Sequence, residues 1–334
     1  MKKYKEKIKT LDIIGCGAVL ALYHFPILKY LEKNNFIRVR YCIDSNIDNA
    51  IKIAIGFKNA YPAKYLKDEE KADYAVLTTP PEAHYEYLIR VESDMLVEKP
   101  PVCTIEEFNN INNLKMMMGK SIIVGFIRRL FPSVRLAKLI LEKGLIGKLK
   151  AIVVYEGKRW SWPSYSEYPV RSKWGGVIYD TGSHALDMAL YISGVNSLGE
   201  NISFKIKTIK KEPKYEPAHE LFAQIILDID NLNELFLSIN LSRRQNLANI
   251  IRFIGTKGSI LIPTDFSNYA ILKINKEIKK VYCNEELVPR SLEDAFKLEW
   301  MTLLKREEYR DYFDILEFSN FKLLTIILQT IGEG

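Results

Sequence analysis

The residues best suited to chemistry fall into two sets. The first is Gly15-Cys16-Gly17, which follows the short apolar run ending at Ile14 and precedes a helix-like segment from about Ala18 to Lys33. Glycines there permit a tight turn and let backbone amides approach a pyrophosphate, whose charge is favoured by the following helix N-terminus. Cys16, Ala18 and Val19 complete the turn. Leu20 stands where such turns carry a third glycine, which predicts a slightly displaced helix rather than a lost site. Asp44 ends the next strand and has two readings. Its carboxylate can accept hydrogen bonds from ribose hydroxyls and repel a 2′-phosphate, favouring NAD over NADP. With Ser45-Asn46 behind it, it can equally be a turn-forming aspartate. It lies farther from Gly17 than the usual ~20 residues, as a long first helix would require.

The second set can move a proton. His184 ionises near neutrality, and Asp180 precedes it by four residues, so one helix turn places both on a shared face. Such a carboxylate orients the imidazole, binds a substrate hydroxyl, or merely caps the helix. Lys99 follows a predicted parallel strand, Asp94 to Val97, at the edge where doubly wound folds bind ligands. Hydride removal from a secondary alcohol leaves a proton to take and an alkoxide to stabilise, and an imidazole and an ammonium suit those tasks. Taken singly, His184 also reads as a structural histidine and Lys99 as a surface lysine. His84, beyond the Thr79-Pro80 turn, reads as structural or as part of a cofactor pocket, and Asp187 as a structural hydrogen-bonder. His24 and His219 show no partner in the sequence.

The elements that must position these residues alternate in the first part of the chain. Short apolar strands are predicted at 8–14, 36–43, 74–78, 94–97 and 122–124, with helices between several of them, which is the rhythm of a parallel, doubly wound sheet. After about residue 125 the pattern changes. A helix is predicted from Pro132 to Lys143, then strands at 148–157, 202–210, 219–229, 234–243 and 249–262 that adjoin without helices, as in an open, largely antiparallel sheet. A helix interrupts from about Ile178 to Ser193, and Leu292 to Ile331 reads as two helices. The expected organisation is an α/β protein: a Rossmann domain at 1–125 and an α+β substrate-binding and oligomerisation domain at 126–334.

Composition narrows the function classes. The 334 residues are 48% hydrophobic and 27% charged, enough apolar material for two cores. Much of the net charge of +7 sits in Met1 to Lys9, which reads as a solvated tail. No aromatic-interleaved basic stripe argues for nucleic acid. Cys16, Cys42, Cys103 and Cys283 form no C-x-x-C pair or metal-spaced cluster, which points to no metal and to a reduced, cytoplasmic protein. The apolar stretch before Cys16 is too short for a secretory signal, which needs about 7–15 apolar residues, and no stretch reaches the ~18 residues of a membrane span.

Three further segments carry a resemblance. They are Ala75 to His84, with Thr79-Pro80 at its centre; Val97-Glu98-Lys99-Pro100; and Gly175 to Asp187, with Asp180 and His184 inside it. Together with the glycine turn, in this order, they resemble the Gfo/Idh/MocA oxidoreductases, typified by glucose-fructose oxidoreductase and inositol dehydrogenase. Weaker echoes are Val124-Gly125-Phe126 with Arg128-Arg129, Gly144 to Gly147, and Gly255 to Gly258. The resemblance implies that Lys99, Asp180 and His184 are catalytic, and that Thr79, Pro80, His84, Glu98 and Lys99 join the turn in holding NAD. It implies a sugar, polyol or nucleotide-sugar substrate, and a homodimer or homotetramer that covers the open sheet. Some relatives oxidise transiently as lyases or glycosidases, and a non-catalytic dinucleotide-binding regulator is a third reading. The aromatic and basic stretch Trp160, Trp162, Arg171 and Trp174, and also Arg128, either line the substrate cleft or serve packing and interface contacts.

Overall fold

A computed structural model of the protein describes residues 8–66, 71–159, 172, 174–195, 203–212, 222–229, 235–284 and 288–333. The chain forms two units. One comprises Met1–Val102, Glu106–Gly125 and Phe296–Phe318, and the other Cys103–Ile105, Phe126–Ala295 and Ser319–Gly334. A single boundary after residue 125 therefore misses a return: the segment 296–318 joins the first unit.

The first unit is built on six strands: β1 (Lys9–Ile14), β2 (Ile37–Ile43), β3 (Tyr61–Ala63), β4 (Tyr74–Leu77), β5 (Asp94–Val97) and β6 (Ile122–Val124). They form one sheet in the order β3-β2-β1-β4-β5-β6, parallel throughout. Ile13, Ile14, Val76, Leu77, Leu96 and Val97 are completely buried. Adjacent residues of a strand point to opposite sides, so both faces of the sheet are covered, as parallel sheets require. The connecting helices are α1 (Phe25–Lys33), α2 (Ile47–Ala54), α3 (Pro81–Arg90) and α4 (Ile105–Met118). Asn46 caps α2 by accepting from the Asp48 amide (3.1 Å), and α3 starts on Pro81, which needs no amide partner in the first turn. A π-helical turn, Leu20–His24, leads into α1. It begins at the residue that replaces the third glycine, so the helix opens at the position where close packing on the strand would need glycine.

The second unit carries an eight-stranded sheet: β7 (Leu149–Gly157), β8 (Phe204–Glu212), β9 (Phe222–Ile229), β10 (Leu235–Ser242), β11 (Ile250–Gly255), β12 (Gly258–Pro263), β13 (Tyr269–Ile274) and β14 (Glu277–Tyr282). The order is β14-β13-β12-β11-β7-β10-β9-β8, antiparallel except for the parallel pair β7 and β10. Buried side chains of one face include Ile152, Val154, Leu237, Ile239 and Phe253. Helix α5 (Pro132–Glu142) packs on β12 and β13, and α6 (Ser183–Ser193), entered through a second π turn at Ile178–Gly182, packs on β7.

Several elements differ from expectation. The single strand predicted at 249–262 is a hairpin that reverses at Thr256-Lys257. Helix α4 and strands β3, β13 and β14 were not foreseen. The end of the chain holds three α-helices, α7 (Leu292–Leu304), α8 (Arg310–Leu316) and α9 (Lys322–Glu333), with a 3-10 turn at Phe318–Phe321, rather than two.

Candidate active site

In the first unit the sheet delivers a row of residues to one edge. Gly15 donates to Ile43 O (2.8 Å), Thr78 to Ile14 O (2.8 Å), Glu98 to Leu77 O (2.9 Å) and Gly125 to Val97 O (2.8 Å). The glycine turn, the Thr79-Pro80 turn and Lys99 therefore follow the carboxyl ends of neighbouring strands β1, β4 and β5. Gly15 has φ +91°, and a Cβ there would stand 2.7 Å from both Thr78 C and Thr79 N, so only glycine fits. At Gly17 a Cβ would meet nothing within 4 Å, which leaves open space against the backbone. The first bond of the following helix runs from Ala21 N–H to Gly17 O (3.0 Å), so the Ala18 and Val19 amides lie in the donor turn ahead of it. The Thr79 hydroxyl is buried with no hydrogen-bond partner among the described residues. A turn that only glycine can make, open space beside it, helix amides and an unsatisfied hydroxyl together suit a dinucleotide pyrophosphate.

Other members of the expected cofactor set make hydrogen bonds within the protein. The Cys16 amide donates to Asp44 Oδ2 (2.8 Å) and its buried thiol lies 3.7 Å from Ile43 O, so Cys16 supports the turn. The hydrogen bond to Cys42, with burial, pushes that thiol's pKa up, which makes it a poor nucleophile. Asp44 Oδ1 accepts from the Asn46 amide (2.8 Å). The turn-forming reading of Asp44 thus holds, and its other oxygen ties the end of β2 to the glycine turn. His84 is completely buried, with Nδ1 at 3.0 Å from Pro100 O and Nε2 at 2.8 Å from Thr79 O. Burial holds its pKa below the ordinary value against those carbonyls and Glu98, which favour the cation. His84 therefore clamps the turns after β4 and β5 together. The Glu98 carboxylate is likewise occupied, by His24 (2.9 Å) and the Lys99 amide (3.1 Å). Burial opposes its ionisation, but the His24 hydrogen bond and the Lys99 charge prevail and hold its pKa low.

In the second unit, Asp180 sits in the π turn before α6, and its carboxylate pairs with Arg243, which emerges from the end of β10. Asp180 is 41% exposed at the side chain, whereas Arg243 is buried. The Asp180 carboxylate thus carries an ion pair that the four-residue spacing to His184 did not foresee. The His184 ring is half-buried and lies edge-on to Phe126 at 5.7 Å. Arg128 forms a fork with Glu156 of β7 (2.9 and 2.6 Å), whose charge outweighs burial and keeps the guanidinium protonated. Arg129 is the structural member of that pair of arginines. It donates to Asp187 of α6 at 2.5–3.0 Å, between the Phe321 ring (4.0 Å) and the Tyr191 ring (4.8 Å).

Trp174 is half-buried, edge-on to Tyr179 at 5.2 Å, and its amide donates to Ser172 Oγ (3.0 Å). Trp160, Trp162, Arg171 and His219 lie outside the described residues. Arg243 was not foreseen. Its only signal is the pair Arg243-Arg244 directly after an alternating apolar strand. Among the described residues no cluster of side chains has metal-ligating geometry, and no helix is long and apolar enough to cross a membrane.

The chain matches the GFO/IDH/MocA C-terminal domain over residues 134–261. It is 26% identical over 290 residues to the D-glucoside 3-dehydrogenase of Escherichia coli, covering 80% of this chain and 82% of that one. Similarity to the NADP(+)-dependent scyllo-inositol 2-dehydrogenase of Bacillus subtilis is 24% over 208 residues, 58% of this chain and 54% of that one. In fold it resembles a 3-ketoreductase from Actinomadura kijaniata solved with NADP and TDP-benzene, with a TM-score of 0.74 and 14% identity over 95% of both chains. Sheet order, glycine turn and relatives define an NAD(P)-dependent oxidoreductase. The chain is similar to the Gfo/Idh/MocA oxidoreductases.

Proposed function

We propose that the protein moves a hydride between NAD and a secondary carbinol of a sugar, polyol or nucleotide sugar. One observation carries the reading: a dinucleotide turn that admits only glycine shares an edge of one parallel sheet with Lys99. The D-glucoside and inositol dehydrogenases among the relatives support the substrate class.

When bound, NAD supplies the hydride acceptor or donor. Gly15 and Gly17 shape its phosphate seat, the Ala18 and Val19 amides and the Thr79 hydroxyl donate to it, and Pro80 shapes the neighbouring turn. Asp44, fixed by two backbone amides, sets a negative charge at the end of β2 that disfavours a 2′-phosphate, hence NAD rather than NADP. Lys99 donates to the carbinol oxygen and offsets the developing alkoxide, while His184 takes or returns the proton. Asp180, paired with Arg243, binds a neighbouring substrate hydroxyl; Arg128 and Trp174 contribute to the walls of the substrate region.

Among the described residues, one face of the eight-stranded sheet carries Tyr155, 44% exposed, and Phe236, 37% exposed, with Val153 and Ile226 half-buried beside them. Such a face supports self-association into a homodimer or homotetramer. Four buried free thiols suit a reducing, cytoplasmic setting.

The test is a screen of free sugars, sugar phosphates and nucleotide sugars for NADH formation, with Lys99→Ala as control. The variant should bind NAD nearly normally and lose about 10²–10⁴-fold in turnover. Wild-type turnover in that variant would remove Lys99 from the site. Substrate consumption without net NADH would point to transient oxidation instead.

A further inference from the structure

Behind Lys99 lies a buried chain of polar contacts to which the hydride chemistry assigns no task. Trp300 of α7 donates its indole N–H to His24 Nδ1 (3.2 Å), and His24 Nε2 faces Glu98 Oε1 at 2.9 Å. The other Glu98 oxygen accepts the Lys99 amide at 3.1 Å. An indole N–H can only donate, so Nδ1 must be the bare nitrogen of the ring. The ring proton then sits on Nε2 and points at the carboxylate. Two sequence-remote residues thus fix one tautomer.

Packing holds the arrangement. His24 and Trp300 are completely buried. The imidazole lies edge-on to Phe296 (5.3 Å) and to Trp300 (6.0 Å), and Tyr23 stacks on the same Phe296 at 5.0 Å. The ring cannot turn over without losing both the indole donor and these contacts. Glu299 precedes Trp300, and its two carboxyl oxygens are buried with no hydrogen-bond partner among the described residues. Burial and the nearby Glu98 charge raise its pKa well above the ordinary range, so it stays neutral and leaves the anionic role to Glu98.

We infer that His24 is a positioning residue for the reaction: acting through Glu98, it fixes the backbone at Lys99 and so the placement of the ammonium. This rests on the role of Lys99 proposed above. Glu98 has one oxygen for the imidazole and one for the Lys99 amide, so a shift at one end displaces the other. Misplacement of a catalytic group by ~1 Å lowers rates by about 10²-fold, which sets the scale of the effect.

The experiment is a double-mutant cycle on the intact chain, following NAD reduction with a D-glucoside or myo-inositol as the carbinol. His24→Leu deletes the donor to Glu98, and the milder Trp300→Phe deletes only the indole N–H. Each is made alone and with Lys99→Ala, and NAD affinity is titrated in every variant. The expected result is a fall in kcat of about 10–100-fold for His24→Leu, a smaller fall for Trp300→Phe, NAD affinity within about threefold, and no further loss when either is added to Lys99→Ala. Equal losses in both backgrounds, or no loss in either, would overturn the inference while leaving the role of Lys99 standing. Wild-type turnover in Lys99→Ala alone would instead refute the proposed function. A readout independent of any substrate is the nitrogen-15 spectrum of the His24 ring. Nε2 should be protonated and Nδ1 bare in the wild type, and the opposite tautomer would overturn the inference.

Discussion

Replacing Asp187 with leucine would remove the carboxylate that pairs with Arg129, whose side chain is 1% exposed. The variant must then bury the guanidinium without this carboxylate or open locally to water. Breaking one partner of such a pair costs about 3–5 kcal/mol. The Phe321 and Tyr191 rings, at 4.0 and 4.8 Å, remain in the variant, so their attraction does not change between the two proteins. For units of roughly 150–250 residues, each kcal/mol moves the melting temperature by about 2–4 °C, which places the expected fall at about 6–20 °C. Scanning calorimetry is the suitable assay, because the two units need not melt together. The companion variant Arg129→Met with Asp187→Leu removes both charges and fills the space with apolar atoms. It should recover most of the loss or exceed the wild type, since a buried pair seldom outperforms good apolar packing. A single-variant loss below about 1 kcal/mol, or a double variant less stable than Asp187→Leu, would refute this account of α6.

Further outcomes follow from the cofactor edge and the buried acid. Gly15→Ala forces a side chain into the backbone of Thr78 and Thr79, 2.7 Å away, and should abolish NAD binding by calorimetric titration; unchanged affinity would exclude the turn as the phosphate seat. Asp44→Ala should weaken NAD and narrow its advantage over NADP, and an unchanged ratio would leave Asp44 only its bonds to Cys16 and Asn46. Glu299 keeps its proton in the folded protein and loses it near the ordinary carboxyl value when unfolded. Stability from this group is therefore complete below the unfolded pKa and declines as pH rises towards the folded one, by at most about 1.4 kcal/mol per pH unit. Glu299→Gln should flatten that decline in melts from about pH 5 to about pH 8, whereas a parallel pH dependence in both proteins would mean Glu299 is ionised.

Much of this was legible because period and punctuation carried it. Strands β1, β4 and β5 are short apolar runs ended by Gly15, by Thr79-Pro80 and by Glu98-Lys99-Pro100, so sheet and site appear together. Helix α4 escaped because its segment, IEEFNNINNLKMMM, buries only Phe108 and Ile111 and is rich in asparagine, a modest helix former. The hairpin of β11 and β12 escaped because Gly255-Thr256-Lys257-Gly258 read as a family echo rather than as a turn. The bond between the Cys16 amide and Asp44 escaped because a contact 28 residues apart leaves no periodic trace. The same holds for Trp300 on His24, 276 positions apart. The π turn that carries Asp180 escaped because a four-residue spacing does not distinguish it from an α turn.

The widened turn from Leu20 to His24 takes up one residue more than an α turn and hands the rest of α1 on in register. Deleting a surface residue such as Leu22, 47% exposed, would tighten it to an ordinary helical turn while the residues beyond keep their angular phase. At this point of the chain a change of length is taken up locally, so the buried face of α1, with Ile27, Leu28 and Leu31, stays directed at the core.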